Sequence, residues 1–225
     1  TNLPGPETKI NIYAGTGENA ELSNFAIRPF TIEYARIAEY GLGKIKFQSV
    51  EQAFQYTKFE DLPFTEENIK IANEILKTVD GGKLRNLGKQ FKGLNRKSWD
   101  NFSSTGMKQL IQASFEQNPN ALAKLLATGN ATLTHTQDKG KWGTEFPKLL
   151  MEVRDELRSA QPTVEPVGES QLNLFEQEIE DSQNNVESKI ADADSLGRNY
   201  DVSLDPEEGP NWTEEDNESD DPFMC

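Results

Sequence analysis

The sequence predicts an α+β fold: a mostly helical single domain over residues 1–160, built around a small sheet, and a disordered acidic tail over residues 161–225. Three observations carry this. Apolar residues recur at helical spacing through most of the span from Ser49 to Leu157. Strand-like alternation is confined to a few short stretches. The charge is divided: residues 161–225 hold 19 Asp+Glu against 2 Lys+Arg, whereas residues 1–160 hold 19 against 21. The net charge of -15 therefore belongs to the tail, and the near-neutral body is compatible with a phosphate-bearing ligand.

Taken in order, Lys9 to Gly15 alternates Ile10, Ile12 and Ala14 with polar neighbours, as a half-buried strand does. In LSNFAIRPF, Pro29 blocks a helix and leaves Asn24-Phe25 in a loop. EYARIAEYGLGKIKF reads as a hairpin turned at Gly41 to Gly43. Ser49 followed by Gln52 is a capping-box pattern, so a helix begins near Val50. Thr65-Glu66-Glu67 opens a second helix that stops at Gly81-Gly82, with Ile69, Ala72, Ile75 or Leu76, and Val79 as its buried stripe. Residues 83–99 are basic, with Lys83, Arg85, Lys89, Lys92, Arg96 and Lys97 ahead of Trp99; the run suits phosphate contacts and equally describes an ordinary exposed segment.

A helix over Asp100 to Gln117 buries Met107, Leu110, Ile111 and Phe115, and Asn118-Pro119 caps and starts another that Gly129 ends. TLTHT is a short strand and QDKGKWG a loop. The last helix begins at Pro147, with Phe146, Leu149, Leu150, Val153 and Leu157 inward.

Cys225 is the single cysteine and His135 the single histidine, which excludes a disulfide framework and a Cys/His zinc site. No apolar run nears the ~20 residues that span a bilayer, and TNLPGPETK lacks the basic and apolar regions of a signal peptide. The expectation is a cytoplasmic protein with no membrane partner.

On the helix from Val50, a turn of about 100° per residue puts Glu51, Gln55 and Lys58 in one stripe, with Val50, Ala53, Phe54 and Thr57 on another side. The polar stripe fits a solvated face as well as a pocket wall.

Taken together, NIYAG, SNF, the S-x-E-x-x-F-Q-x-x-K-F core at Ser49 to Phe59, Gly88 through Trp99, LLATGNATLTHT with Trp142-Gly143, and KLLMEVRDEL resemble the NADAR domain, a family of N-glycosidases, in order across residues 9–158. The resemblance implies cleavage between an amine nitrogen and the anomeric carbon of a ribose, with no metal or other cofactor. Family members act on phosphoribosylated aminopyrimidines of riboflavin synthesis, or on guanine carrying ADP-ribose at its exocyclic amine. By motif, Glu51 is the acid/base carboxylate, and Asp138 resembles the second acidic position. Lys58 either forms a Schiff base with the sugar or binds a phosphate or Glu51. Asn24, Phe25, Gln55, Lys89, Trp99 and Trp142 are the implied substrate contacts, with core packing the alternative for each tryptophan. Three departures leave the exact substrate open: Gln52 where many relatives have histidine, Lys89-Gln90 where many have Arg-Asp, and GTEFP at residues 143–147 in place of a longer glycine-rich loop.

In the tail, QLNLF looks like the pentapeptide that grips bacterial DNA sliding clamps, with Gln171, Leu172, Leu174 and Phe175 as its anchors. A short segment folding back on the body is the alternative. The acidic end closing on Pro222-Phe223 faintly resembles the tip of single-strand binding protein, and the tail could equally compete with phosphates for residues 83–97. The resulting expectation is an enzyme that removes ADP-ribose from guanine in DNA and opposes a DNA-modifying ADP-ribosyltransferase toxin, as antitoxin or anti-defence factor. Its rivals are an N-glycosidase of riboflavin intermediates and a non-catalytic ADP-ribose or nucleic-acid binding module.

Overall fold

A computed structural model describes residues 2–17, 19–37 and 41–162. The acidic tail, its QLNLF segment and its acidic end lie outside the described residues. The order is β1 (Lys9–Asn11), two 3-10 turns (Ala14–Thr16 and Ala20–Leu22), β2 (Phe30–Ile37), β3 (Gly41–Phe47), α1 (Val50–Thr57) running into a 3-10 turn (Lys58–Asp61), α2 (Glu66–Leu76), α3 (Gly81–Lys89), α4 (Arg96–Glu116), α5 (Pro119–Ala127), β4 (Thr132–Thr134) and α6 (Lys141–Ala160). The architecture is α+β and mostly helical.

The sheet component is two separate two-stranded ribbons. β1 pairs parallel with β4, Lys9 opposite Thr132 and Asn11 opposite Thr134. Thr134 Oγ1 donates to Asn11 Oδ1 across 123 residues of chain, so this ribbon ties the start of the domain to its far half. β2 and β3 form the antiparallel hairpin, from Phe30 opposite Phe47 to Ile37 opposite Gly41, with an irregularity between Ile32 and Ala35. Arg36 anchors that hairpin to the turn after α1. Its Nη1 donates to the carbonyls of Phe59, Glu60 and Leu62, and its guanidinium lies 3.5 Å from the Phe64 ring centroid.

One apolar core runs through α1, α4 and α6, where Val50, Phe54, Met107, Ile111, Phe115, Phe146 and Leu150 are buried together. No described helix is long and apolar enough to cross a membrane.

Five local expectations are corrected. β1 stops at Asn11, because the chain turns into a 3-10 segment at Ala14. Gly41 and Gly43 lie within β3 rather than in the hairpin turn. Gly81-Gly82 opens α3 instead of ending α2, since the Asp80 side chain accepts from Lys83 N at 2.8 Å and caps a new helix. α2 accordingly ends at Leu76, Leu76 and Val79 are exposed, and Ile71 joins Ala72 and Ile75 in its buried face. Asn118 precedes α5 without capping it by its side chain, and α6 starts at Lys141, enclosing Pro147.

Candidate active site

α1 is the helix on which the polar stripe sits, and its start is built as its sequence requires. Ser49 Oγ accepts from Gln52 N at 3.1 Å, while Gln52 Oε1 reaches back to accept from Gln48 N at 2.7 Å. The Gln52 amide nitrogen donates to the carbonyls of Ile75 and Thr78, locking the start of α1 to the end of α2. Position 52, one of the departures from the family pattern, is thus engaged in holding two elements together.

Every residue from Val50 to Tyr56 is buried. An amphipathic helix with one wet face does not do this, so the polar stripe points into the protein. Glu51 is 1% exposed, Gln55 2% and Lys58 6%. Gln55 Nε2 donates to Glu51 Oε1 at 2.8 Å, which holds that carboxylate oxygen in place. Lys58 Nζ stands 5.7 Å from the Trp99 ring centroid. α3 closes over the stripe at Gly88: a Cβ there would overlap Gln55 Oε1 and lie 3.2 Å from Lys58 Nζ.

The loop before β2 approaches the start of the same helix. Glu51 N donates to the Asn24 carbonyl at 3.0 Å, and Asn24 Nδ2 donates to Met107 Sδ on α4 at 3.4 Å. Phe25, beside it, packs against Gly81, with the Arg85 guanidinium 5.2 Å from its ring centroid. Trp99 and Trp142 flank Phe54 at 5.1 and 5.5 Å between ring centroids. With Trp99 5% and Trp142 0% exposed, both indoles are packed in the wall and neither offers an open face. Lys89 is exposed at the end of α3, next to Gly88. Asp138 lies in the loop before α6, where its Oδ1 accepts from Gly140 N at 2.6 Å. The structure therefore brings Glu51, Gln55, Lys58, Asn24 and Trp99 to one place and joins Trp142 to it through Phe54, while Asp138 is buried in the loop before α6.

Buried polar atoms are almost always hydrogen-bonded, so exceptions mark places where a partner belongs. Asn24 Oδ1, Gln55 Oε1, Trp99 Nε1 and Trp142 Nε1 are buried and have no protein partner. Each belongs to a residue that the sequence places in the substrate site. Gly88 and Met107 are the participants that sequence reasoning did not assign. The signal for Gly88 was there, a glycine inside a basic amphipathic run, which marks a close approach of backbone. Nothing in the sequence pairs Met107 with Asn24.

Among the described residues, no group of three or more His, Cys, Asp or Glu side chains could hold a metal ion. The arrangement provides a buried carboxylate near the start of α1 and a buried amine about two turns along, where the 3-10 turn begins, with unpaired acceptors and donors around them.

Comparison with known proteins shows the family. The NADAR domain family model matches residues 12–158. The chain is 30% identical over 160 residues to the N-glycosidase YbiA of Shigella boydii serotype 4 (strain Sb227), covering 67% of this chain and 89% of that protein. It is 29% identical, with the same coverage, to YbiA of Escherichia coli (strain K12). A riboflavin biosynthesis protein of Vibrio vulnificus (strain YJ016) is 26% identical over 123 residues, 51% of this chain and 32% of that protein. The NMR structure of the E. coli protein YbiA superposes with a TM-score of 0.57 at 26% identity, covering 74% of this chain and 94% of the other. With a family match over residues 12–158 and a shared fold, the chain belongs to the NADAR family of N-glycosidases.

Proposed function

We propose that the protein hydrolyses the bond between ADP-ribose and the exocyclic amine of guanine in DNA. The name N-glycosidase borne by its relatives supports the class of bond. The observation that carries the reading is the buried stripe of Glu51, Gln55 and Lys58, ringed by polar atoms that lack partners.

In this reaction the nitrogen leaves as negative charge builds on it, and a carboxylic acid that delivers a proton lowers the barrier. Glu51 takes that role, with Gln55 fixing its orientation. Lys58 takes over the sugar: the glycosylamine opens to an imine, and the lysine amine in its unprotonated form adds to the imine carbon. The C–N bond to guanine breaks, with the proton supplied by Glu51. Water then hydrolyses the lysine Schiff base and releases ADP-ribose.

A nucleic-acid substrate is favoured by Lys83, Lys89, Lys92, Arg96 and Lys97, exposed or partly so, which follow one another from α3 into the start of α4, on either side of Gly88 and ahead of Trp99. The cognate toxin as opponent, and the sliding clamp as partner of the QLNLF segment, belong to the same proposal.

The second reading, hydrolysis of a phosphoribosylated riboflavin intermediate, is favoured by the name of the Vibrio relative. One assay with both substrates separates them: turnover of the guanine-modified oligonucleotide is expected, and release of ribose phosphate from the aminopyrimidine alone would replace the first reading with the second. Glu51→Gln is expected to lower release of free ADP-ribose by about 100-fold or more. If the unmutated protein releases nothing from either substrate, it is a binding module.

A further inference from the structure

A cavity of about 450 Å³ opens between the loop at Ile27 and Arg28, the 3-10 turn Ala20–Leu22 and the N-terminus of α5. None of the residues of the α1 stripe lines it.

Arg28, 2% exposed, lines it. Arg28 Nε donates to Ser114 Oγ at 3.1 Å, and Nη1 to the carbonyls of Glu21 and Ser23 at 2.9 and 3.1 Å. One face of the guanidinium lies 4.2 Å from the Phe115 ring centroid, and Nη2 has no partner. Burial alone pulls its pKa down to about 10, so the group is charged at neutral pH, and no carboxylate among the described residues compensates it. A buried cation answered only by neutral carbonyls, a hydroxyl and a ring is costly, and an anion relieves that cost.

The start of α5 lines the cavity as well. Asn118, in the N-cap position, gives its amide nitrogen to the carbonyls of Pro29 and Ser114 at 2.7 and 2.8 Å, and no side chain caps the helix. Pro119 brings no N–H, so the amides of Asn120 and Ala121, two residues that line the cavity, stand at the positive end of the helix dipole. Lys124, about one turn further on, lines it too and is ion-paired with Glu21.

We propose that this cavity is a phosphate-binding site distinct from the α1 stripe. A tetrahedral oxyanion meets the amides of Asn120 and Ala121, the free edge of Arg28, and Lys124, which exchanges Glu21 for the phosphate. The volume admits a phosphate with a small ester group, so the source is either a free phosphate ester or the backbone of a nucleic-acid strand. The inference stands whether or not the glycosidase reading does, because it concerns binding alone.

The test is an NMR titration of the full chain at constant ionic strength, following the Asn120 and Ala121 amides. The probes are inorganic phosphate and, separately, an unmodified single-stranded oligonucleotide. Saturable shifts of both amides with either probe support the site, and the probe effective at lower concentration identifies the source of the phosphate. Glu21 and Lys124 are partly exposed, so their variants keep the fold. Glu21→Gln is expected to tighten phosphate binding and Lys124→Ala to weaken it, each by about threefold. Amides that do not move with either probe, or a Glu21→Gln protein that binds phosphate no tighter, would overturn the proposal.

Discussion

Gly88 has no room for a methyl group, because Gln55 Oε1 occupies the place where a Cβ would go. Gly88→Ala therefore pushes the Gln55 amide away from α3, and with it the hydrogen bond that orients Glu51. A misplacement of this size costs about 100-fold in turnover. Release of ADP-ribose from a modified oligonucleotide should fall accordingly, while Asn86→Ala, on the exposed side of the same helix, should leave it unchanged. Tyr56, one residue past Gln55, gives a prediction in pH. Its hydroxyl donates to the Arg36 carbonyl. Burial, reinforced by Glu60 and opposed by Arg36, pushes its phenol up to about 12 from 10.0. An acid whose folded pKa is raised holds its proton in the native state after the unfolded chain has lost it. The stability it contributes is present below pH 10 and lost as pH rises through about 12. Tyr56→Phe should thus be less stable at neutral pH by about 1 kcal/mol, and chemical denaturation should show that difference shrinking over this alkaline window. At this scale the residue types of the site were legible, since Glu51, Gln55 and Lys58 share a stripe in any helix. Gly88 showed only as a glycine inside a basic amphipathic run; that Gln55 is what lies against it was not legible, because contact between two helices leaves no periodic trace in either.

Helix α1 is held by its ends as much as by its faces. Ser49→Ala removes the cap and should cost about 1 kcal/mol. Gln52→Ala strips partners from Gln48 N and from the carbonyls of Ile75 and Thr78, and should cost about 1–3 kcal/mol. Urea denaturation measures both. If Gln52→Ala leaves stability unchanged, the tie between α1 and α2 is not the role of this residue. The start of α1 was readable because a capping box is local chemistry between neighbours in sequence. The starts of α3 and α6 were misread for a local reason as well. Gly81-Gly82 is a stop signal in most chains, yet here the Asp80 cap precedes it. Pro147 is a start signal, yet Gly143, four residues before it, packs on the Asp138 carbonyl inside a helix already under way.

For the whole molecule, the parallel ribbon of β1 and β4 joins residues 123 apart in sequence, so the domain closes on itself by residue 134 and α6 completes the core. The described apolar core runs from Ile12 to Leu157, and the α1 stripe from Glu51 to Lys58. Truncation at Gln161 is expected to leave turnover on short oligonucleotides intact and to abolish association with a sliding clamp, measured by surface plasmon resonance. Loss of turnover instead would give the tail a part in the active site.

By itself the sequence determined the helical register of α1, the residue types on its polar stripe, the family, and the separation of a near-neutral body from an acidic tail. All of these rest on chemistry between near neighbours or on composition, which survive without coordinates. Only the tertiary structure decided that the stripe faces inward. Burial is a property of what packs around a helix, and the pattern of residues in α1 does not say that α2, α3 and α4 will close over it. The same holds for the uncompensated Arg28, whose surroundings come from residues 21–23 and 114–124. A carboxylate and an amine become chemically useful when water is kept from them, and that condition is set by the fold.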